Sequence, residues 1–269
     1  MKRLFKLFSL IAIGSLAITS CKKDSSMAGA EDISDATLAK IHAQGFGTSD
    51  VQKIDEGYLV EGDIVLTEEF LNTTPGGNFL RIANVEQYRT TNLVSQNRTV
   101  RLALDTKLAA KAGYTEALDI VAARFNAEGL TLLFTVVAPG TAADITFADA
   151  GGNFLASAGF PTGGNPYSLV KVNSRSIGTG TTSTFHNFAA TILAHEAGHC
   201  IGFRHTDYMD RSYSCGGSTA NEGASTVGAI LIAGTPSGPD AGSWMLACVS
   251  RNQNRPFNAN DKTALKYLY

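Results

Sequence analysis

Residues 195–205 read His195-Glu196-Ala197-Gly198-His199-Cys200-Ile201-Gly202-Phe203-Arg204-His205 and carry the strongest structural signal in the chain. It fits the pattern H-E-x-x-H-x-x-G-x-x-H, in which the first two histidines stand four residues apart. On a helix this spacing points both imidazole rings the same way, so that His195 and His199 can bind one metal ion. Gly202 can adopt a positive φ and end the helix in a tight turn, which brings His205 back as a third ligand.

The three histidines indicate the kind of metal site. Three protein ligands leave a fourth position open for water, an arrangement typical of catalytic rather than structural zinc sites. Histidine nitrogen also suits copper, iron and nickel, but coordination geometry and metal availability favour Zn²⁺. Glu196 lies about 100° round the helix from His195, from where its carboxylate can serve as the general base.

The extended motif resembles that of the metzincin zinc metallopeptidases. More narrowly, HEAGHCIGFRHTDY is similar to the dual-action HEIGH metallopeptidases, with Ala197 in place of the Ile of that name. The resemblance covers about residues 60–269. It implies an α+β fold with a twisted mixed sheet, a zinc-binding helix, a Met-turn and a C-terminal helix. It also implies a zinc-dependent endopeptidase (EC 3.4.24) that acts on proteins or peptides.

The same resemblance points to further site residues. Ser243-Trp244-Met245 follows the third histidine and resembles the Met-turn, in which Met245 packs beneath the metal. Residues 153–160 resemble the metzincin edge strand, where a peptide substrate binds by strand addition, although a plain loop is the alternative. Asp207 is a candidate to orient a ligand histidine or to cap a turn. Tyr208 is a weaker candidate for a tyrosine near the metal.

Glu61-Gly62-Asp63-Ile64 resembles the pro-segment motif of astacin-type metzincins, in which an aspartate blocks the zinc ion. The resemblance implies that Asp63 is the fourth zinc ligand of a zymogen. The alternative is that Gly62-Asp63 forms only a bulge or a turn, within a strand over residues 57–66.

Hydrophobic periodicity predicts the helices and strands outside the motif. Helices are predicted over residues 33–45, 114–128 and 185–201, and a last helix follows Asn258. Strands are predicted over residues 100–105, 131–137, 144–149 and 168–172. Residues 31–95 therefore form a small N-terminal, pro-like segment, and residues 96–269 form the catalytic domain.

Residues 1–20 have the basic start, apolar stretch and small-residue end of a secretory signal. Ile18-Thr19-Ser20-Cys21 resembles a bacterial lipobox, which implies cleavage before Cys21 and a lipid on this residue. Residues 21–30 then form a polar tether. We expect a protein exported to the cell envelope and held on the outer membrane or cell surface by its lipid.

Composition limits the remaining functions. The chain has 269 residues, with Lys+Arg 22 and Asp+Glu 24. Loss of the three basic residues of the signal leaves 19 basic against 24 acidic residues, which argues against nucleic-acid binding. Three cysteines besides Cys21 allow one disulfide, whose pairing the sequence leaves open. We expect a monomer.

Two functional classes stay open, besides a different zinc hydrolase with the same helix, against which Gly202, His205 and Met245 together favour the metzincin. One is the zinc endopeptidase, and the other is a catalytically inactive surface lipoprotein that uses the same fold as a binding module. The presence of Glu196 favours the enzyme, because metal binding alone does not need this carboxylate.

Overall fold

The computed structural model describes residues 33–73, 87–219, 221, 229–235 and 239–269. All of these residues fall within one compact unit, Asp32–Tyr269. The predicted signal peptide and tether, including Cys21, lie outside the described residues. Among the helices that are described, none is long and apolar enough to span a membrane.

The described elements run along the chain in the following order. The N-terminal part holds α1 (Asp35–Ala43), β1 (Gln52–Ile54), β2 (Gly57–Val60), β3 (Ile64–Leu66), α2 (Glu68–Leu71) and β4 (Tyr88–Arg89). The central part holds β5 (Arg98–Leu104), α3 (Thr106–Ala109), α4 (Tyr114–Asn126), β6 (Leu132–Val136), β7 (Ile145–Asp149), β8 (Ala156–Gly159), β9 (Leu169–Val172) and α5 (Ser174–Ile177). The C-terminal part holds α6 (Ser183–Ile201), α7 (Ser212–Cys215), β10 (Ile230–Leu231) and α8 (Ala259–Leu268).

Eight strands form one mixed sheet in the order β1-β2-β3-β8-β9-β7-β5-β6. Strands β5, β6, β7 and β9 pair in parallel, whereas β8 runs antiparallel to β9. The short β4 and β10 pair separately. This architecture confirms the predicted α+β class with a mixed sheet.

The main core lies between the sheet and helices α4 and α6. One face of α4 is apolar and is buried against α6, as its periodicity predicts. Helix α6 is buried almost all the way round over its second half. It begins two residues before the predicted start because the Thr182 side chain accepts a hydrogen bond from Phe185 N (3.2 Å) and caps it.

The prediction of a single strand over residues 57–66 is wrong, because these residues form two strands joined by a turn. The structure has a hairpin, in which β2 pairs antiparallel with β3 and Val60 stands opposite Ile64. Glu61 and Gly62 both have positive φ, 55° and 90°, which reverses the chain direction. The apolar pattern on either side of Gly62 is therefore that of two strands facing the same cluster.

The N-terminal elements have their own hydrophobic cluster. It consists of Ile41, Phe46, Tyr58, Val60, Ile64, Leu66, Phe70, Leu71 and Phe160, of which only Phe160 lies outside residues 33–73. By contrast, Val94 packs in the main core, and β4 pairs with β10. Residues 87–94 thus pack with the C-terminal part of the chain.

Strand β8 does not lie at an edge of the sheet. On the side away from β9 it pairs in parallel with β3, with Ile64 opposite Ala158 and Val65 opposite Gly159. The strand that the sequence predicts to receive a peptide substrate is therefore covered here by the chain's own N-terminal segment. The hairpin turn before β3 carries Asp63 towards α6.

Candidate metal centre

Helix α6 presents two histidines on one face. His195 Nε2 and His199 Nε2 lie 3.1 Å apart, as expected for side chains separated by one helical turn. The helix ends at Gly202, whose φ of 109° turns the chain sharply. His205 thereby returns to the same place, with its Nε2 3.3 Å from that of His199.

Backbone carbonyls orient two of these imidazoles. His195 Nδ1 lies 3.0 Å from the carbonyl oxygen of Trp244, and His199 Nδ1 lies 2.8 Å from that of Phe203. A carbonyl only accepts hydrogen bonds, so each Nδ1 must carry the proton. In the neutral ring the lone pair of Nε2 then points into the cluster. Burial and the neighbouring histidines lower the pKa of His199 well below its usual value, which favours the neutral form.

Asp63 completes the cluster from the hairpin turn. Its Oδ2 atom lies 3.2 Å from His205 Nε2 and 3.7 Å from His195 Nε2. Burial by itself raises the pKa of Asp63, but His205, His195 and His199 together outweigh burial and hold this pKa well below the usual range. The carboxylate is therefore ionised.

The four side chains fit a tetrahedral metal ion. One ligand atom from each of Asp63, His195, His199 and His205 lies within 4.8 Å of all the others. A tetrahedral ion with bonds of about 2.0–2.1 Å separates its ligand atoms by about 3.3–3.4 Å, close to most of the distances above. Lone pairs so close together repel one another, and a cation at the centre removes this repulsion. The donor set of three nitrogens and one oxygen suits a divalent transition metal.

Glu196 lies beside the cluster. Its side chain is buried, and Oε2 has no hydrogen-bond partner among the described residues. Burial raises the pKa of Glu196 well above its usual value, and the charge of Asp63 raises it further. A carboxyl group with a raised pKa is suited to taking up and releasing a proton near neutral pH.

Residues 243–246 form a turn that packs against α6 beside its histidines. A Cβ atom at Gly198 would come within 2.6 Å of Met245 Sδ, so the fully buried Met245 lies directly against this helix. Met245 O accepts a hydrogen bond from Thr206 N (2.9 Å), next to His205. The turn therefore contacts both parts of the chain that carry the histidines.

Comparison with known proteins agrees with this geometry. The sequence profile of the dual-action HEIGH metallo-peptidase family matches residues 59–269. The chain belongs to this family. None of the curated proteins matches it at a significant level. The match confirms the narrower of the two resemblances and includes both the histidine cluster and Asp63.

Asp207 and Tyr208, which the sequence suggested as residues near the metal ligands, contact other parts of the chain. Asp207 accepts hydrogen bonds from Ala247 N (2.9 Å) and Ser214 Oγ (2.5 Å). It thus links the chain after His205 to the segment after the turn. The buried Tyr208 packs edge-on against Tyr88, with ring centroids 4.4 Å apart. Within the described part of the chain, these contacts of Asp207 and Tyr208 are all with groups other than the histidines of the cluster.

Sequence reasoning missed the ion pair beside His205. The fully buried Arg204 places Nη2 2.5 Å and 2.6 Å from the two carboxylate oxygens of Glu61. Arg204 Nη1 donates to Gly45 O (3.0 Å), and the guanidinium lies over the ring of Phe46 at 4.3 Å. The one sequence feature that points to this ion pair is a charged residue directly after the apolar Ile201-Gly202-Phe203. These contacts hold the N-terminal segment against the metal cluster.

Sequence reasoning also missed the support of the Met245 turn. Asp261 accepts hydrogen bonds from Ser243 Oγ (2.9 Å), Trp244 N (3.2 Å) and Gln87 Nε2 (2.6 Å). The same side chain closes the capping box of α8 with Asn258. The cap of the last helix is predictable from the sequence, but its second role is not.

Proposed function

We propose that the protein is a zinc-dependent endopeptidase of the metzincin type, held latent by its own N-terminal segment. The observation that carries the proposal is the position of the buried Glu196 carboxylate beside three histidines whose Nε2 atoms meet, with one of its oxygens lacking a hydrogen-bond partner among the described residues. A site that only bound metal would not need this carboxylate. The turn at Met245 supports the metzincin assignment, because it packs against α6 as a Met-turn does.

Each residue of the site has a separate role in peptide hydrolysis. When bound, zinc polarises a peptide carbonyl and lowers the pKa of water. His195, His199 and His205 hold the ion, and the carbonyls of Trp244 and Phe203 keep two of their rings in place. Glu196 accepts a proton from the attacking water and passes it to the leaving amine.

The test is proteolysis by the full chain carrying Asp63→Ala, with an unfolded protein as substrate and zinc added. Cleavage should be lost with a chelator and with Glu196→Gln, whereas Glu116→Gln, a matched change on the exposed face of α4, should leave it intact. Activity that survives both the chelator and Glu196→Gln overturns the mechanism. Zinc binding without cleavage of any substrate favours the inactive binding module instead.

The N-terminal segment accounts for latency in two ways. Asp63 takes the fourth position of the metal site, which water needs. Strand β3 also covers β8, to which a peptide would otherwise add as a strand. We therefore infer that the segment must move or be removed before a substrate binds.

Asp63→Ala tests this latency. Activity of the uncleaved chain should rise at least tenfold. The variant lacks the carboxylate that takes the fourth metal position in the inhibited state, so water can take that position. Asp55→Ala changes an exposed acid of the same segment and should have no effect. Equal activity of the wild type and Asp63→Ala would sink the zymogen idea.

We further propose that the mature protein is attached to the cell envelope by a lipid on Cys21. The support is the basic start, the short apolar stretch and the lipobox-like end of residues 1–21. Cys21→Ala should move the protein from the membrane fraction to the soluble fraction of the expressing cells. An unchanged distribution would exclude this anchor.

A further inference from the structure

A cavity of about 260 Å³ opens beside the metal cluster. His195 and Glu196 line one end, and its walls include Ile192, Leu246 and Val249. About 10–15 Å³ of such a volume is enough to hold one water molecule, so the cavity has room for a side chain of several heavy atoms. A side chain that enters here belongs to a residue next to the bond under attack, because the cavity begins at the catalytic carboxylate.

A buried arginine also lines this cavity. Arg255 is 8% exposed, and its backbone N–H donates to Thr191 Oγ1 (2.9 Å), one helical turn before His195. Its Nη1 donates to Cys248 O (3.1 Å) and its Nη2 to Gln253 Oε1 (3.1 Å). Its Nε has no hydrogen-bond partner within the described part of the chain.

The positive charge of Arg255 is poorly compensated. Its two hydrogen-bond acceptors are both neutral, and no described carboxylate lies within ion-pair distance of it. Burial lowers the pKa of Arg255, and the more distant Asp207 and Asp261 offset only part of this effect. A buried charge with an unused N–H group costs free energy unless a ligand supplies the missing acceptor.

Acidic and basic side chains both line the cavity, and the acidic ones lie together at its metal end. The two acids are Asp63 and Glu196, both at the metal end, and Asp63 belongs to the N-terminal segment. The two bases are Arg211 and Arg255. Arg211 Nη1 donates to the carbonyl oxygen of Glu61 (2.5 Å), a bond that ends when the N-terminal segment leaves. An active form would therefore present a predominantly basic pocket with apolar walls.

We propose that this pocket selects an acidic side chain, of about the size of glutamate, next to the scissile bond. The methylene groups would pack on Ile192, Leu246 and Val249, and the carboxylate would accept a hydrogen bond from Arg255. Arg255 is thus a specificity-determining residue, and this inference rests on the proposed peptidase function.

The experiment first maps cleavage sites of the full chain carrying Asp63→Ala in a mixed peptide library. It then compares two peptides that differ only in Glu or Gln at the selected position. A charge-assisted hydrogen bond predicts a kcat/KM about tenfold higher, or more, for the Glu peptide. In Arg255→Gln the ratio should fall to about one, and Arg255→Lys should restore part of it.

The ratio separates recognition from folding, because a distorted loop lowers the rates for both peptides alike. Arg251→Gln is the matched control, since Arg251 is exposed on the same loop and does not line the cavity. As a measurement without turnover, the Glu and Gln peptides are also titrated against the Glu196→Gln form with zinc. The Glu peptide should bind more tightly, and Arg255→Gln should remove the difference.

The outcomes distinguish this inference from the proposed function. If the protein cleaves peptides without an acidic preference, or if Arg255→Gln leaves the Glu-to-Gln ratio unchanged, the pocket assignment is wrong and the peptidase stands. If no peptide is cleaved, the proposed peptidase fails. Tighter binding of the Glu peptide in the titration would still support the pocket in that case, and equal binding would overturn it.

Discussion

Single side chains around the metal cluster are held by contacts to distant backbone. The ring of His195 is oriented by the carbonyl of Trp244, 49 residues along the chain. Orientation of the ring favours the tautomer that presents its lone pair inward, so the ligands are organised before metal binds. Preorganisation of this kind reduces the conformational entropy lost on binding.

The pair of Glu61 and Arg204 offers a sharp stability test. Glu61→Gln should lower the free energy of unfolding by about 3–5 kcal/mol, because it removes the negative charge that faces the buried guanidinium. The matched change is Glu56→Gln, whose partner Lys171 lies at a similar distance, 2.6 Å, but on a partly exposed surface. That change should cost about 1 kcal/mol or less. Urea unfolding measures both, and equal losses would contradict the argument.

The end of α6 depends on a glycine for two separate reasons. Gly202 has a φ of 109°, which L-residues with a Cβ rarely adopt. A Cβ atom there would also lie 2.6 Å from the carbonyl oxygen of Asn92. Both effects act at the turn that brings His205 to the cluster.

Gly202→Ala should therefore destabilise the fold by about 3 kcal/mol, the sum of backbone strain and steric overlap. It should also weaken zinc binding, because His205 is displaced. Gly129→Ala is the control, since Gly129 has a φ of 68° after α4 with no atom within 4 Å of the added Cβ. It should cost about 1 kcal/mol and leave zinc binding unchanged. Thermal melts and zinc titrations report the two effects.

A disulfide between Cys215 and Cys248 joins α7 to the segment that follows the Met245 turn. The sequence separation is 33 residues, and Cys200 is the free, buried cysteine among those described. Replacing both half-cystines by serine should lower the free energy of unfolding by about 2–4 kcal/mol. A reductant should lower the melting temperature of the wild type but not of the double variant. An equal response of the two proteins would show that the bond does not stabilise the fold.

The N-terminal segment and the rest of the described chain share one sheet. Strand β3 continues the sheet beyond β8, and Phe160 after β8 packs in the N-terminal cluster. The metal cluster is likewise shared, since Asp63 comes from the segment and the histidines come from the C-terminal part. Metal binding therefore ties the two parts together.

Zinc should consequently stabilise the whole unit against unfolding. At a free zinc concentration of 100 times Kd, the gain is about 2.7 kcal/mol, provided that the unfolded chain does not bind. Calorimetry should show a higher melting temperature with zinc and a lower one with a chelator. His199→Ala should abolish this response, and Asp63→Ala should reduce it. A zinc response that persists in His199→Ala would place the metal elsewhere.

Much of the fold and of the site is local in sequence and was predictable. The i, i+4 spacing of His195 and His199 and the glycine before His205 determine a two-ligand helix and a turn within eleven residues. Periodicity likewise located α4 and the parallel strands, because each buries one face along a short stretch. Where the chain reverses at Glu61, the apolar pattern alone did not distinguish a hairpin from a strand.

The remaining features join residues far apart in the chain and became evident only from the folded structure. Asp63 meets His205 across 142 residues, and Glu61 meets Arg204 across 143. The pairing of Cys215 with Cys248 and the cover of β8 by β3 are of the same kind. Such contacts depend on how whole elements pack, whereas spacing within one helix or strand constrains only neighbours along the chain. The sequence by itself determined the ligand-bearing helix, and packing determined what closes the site.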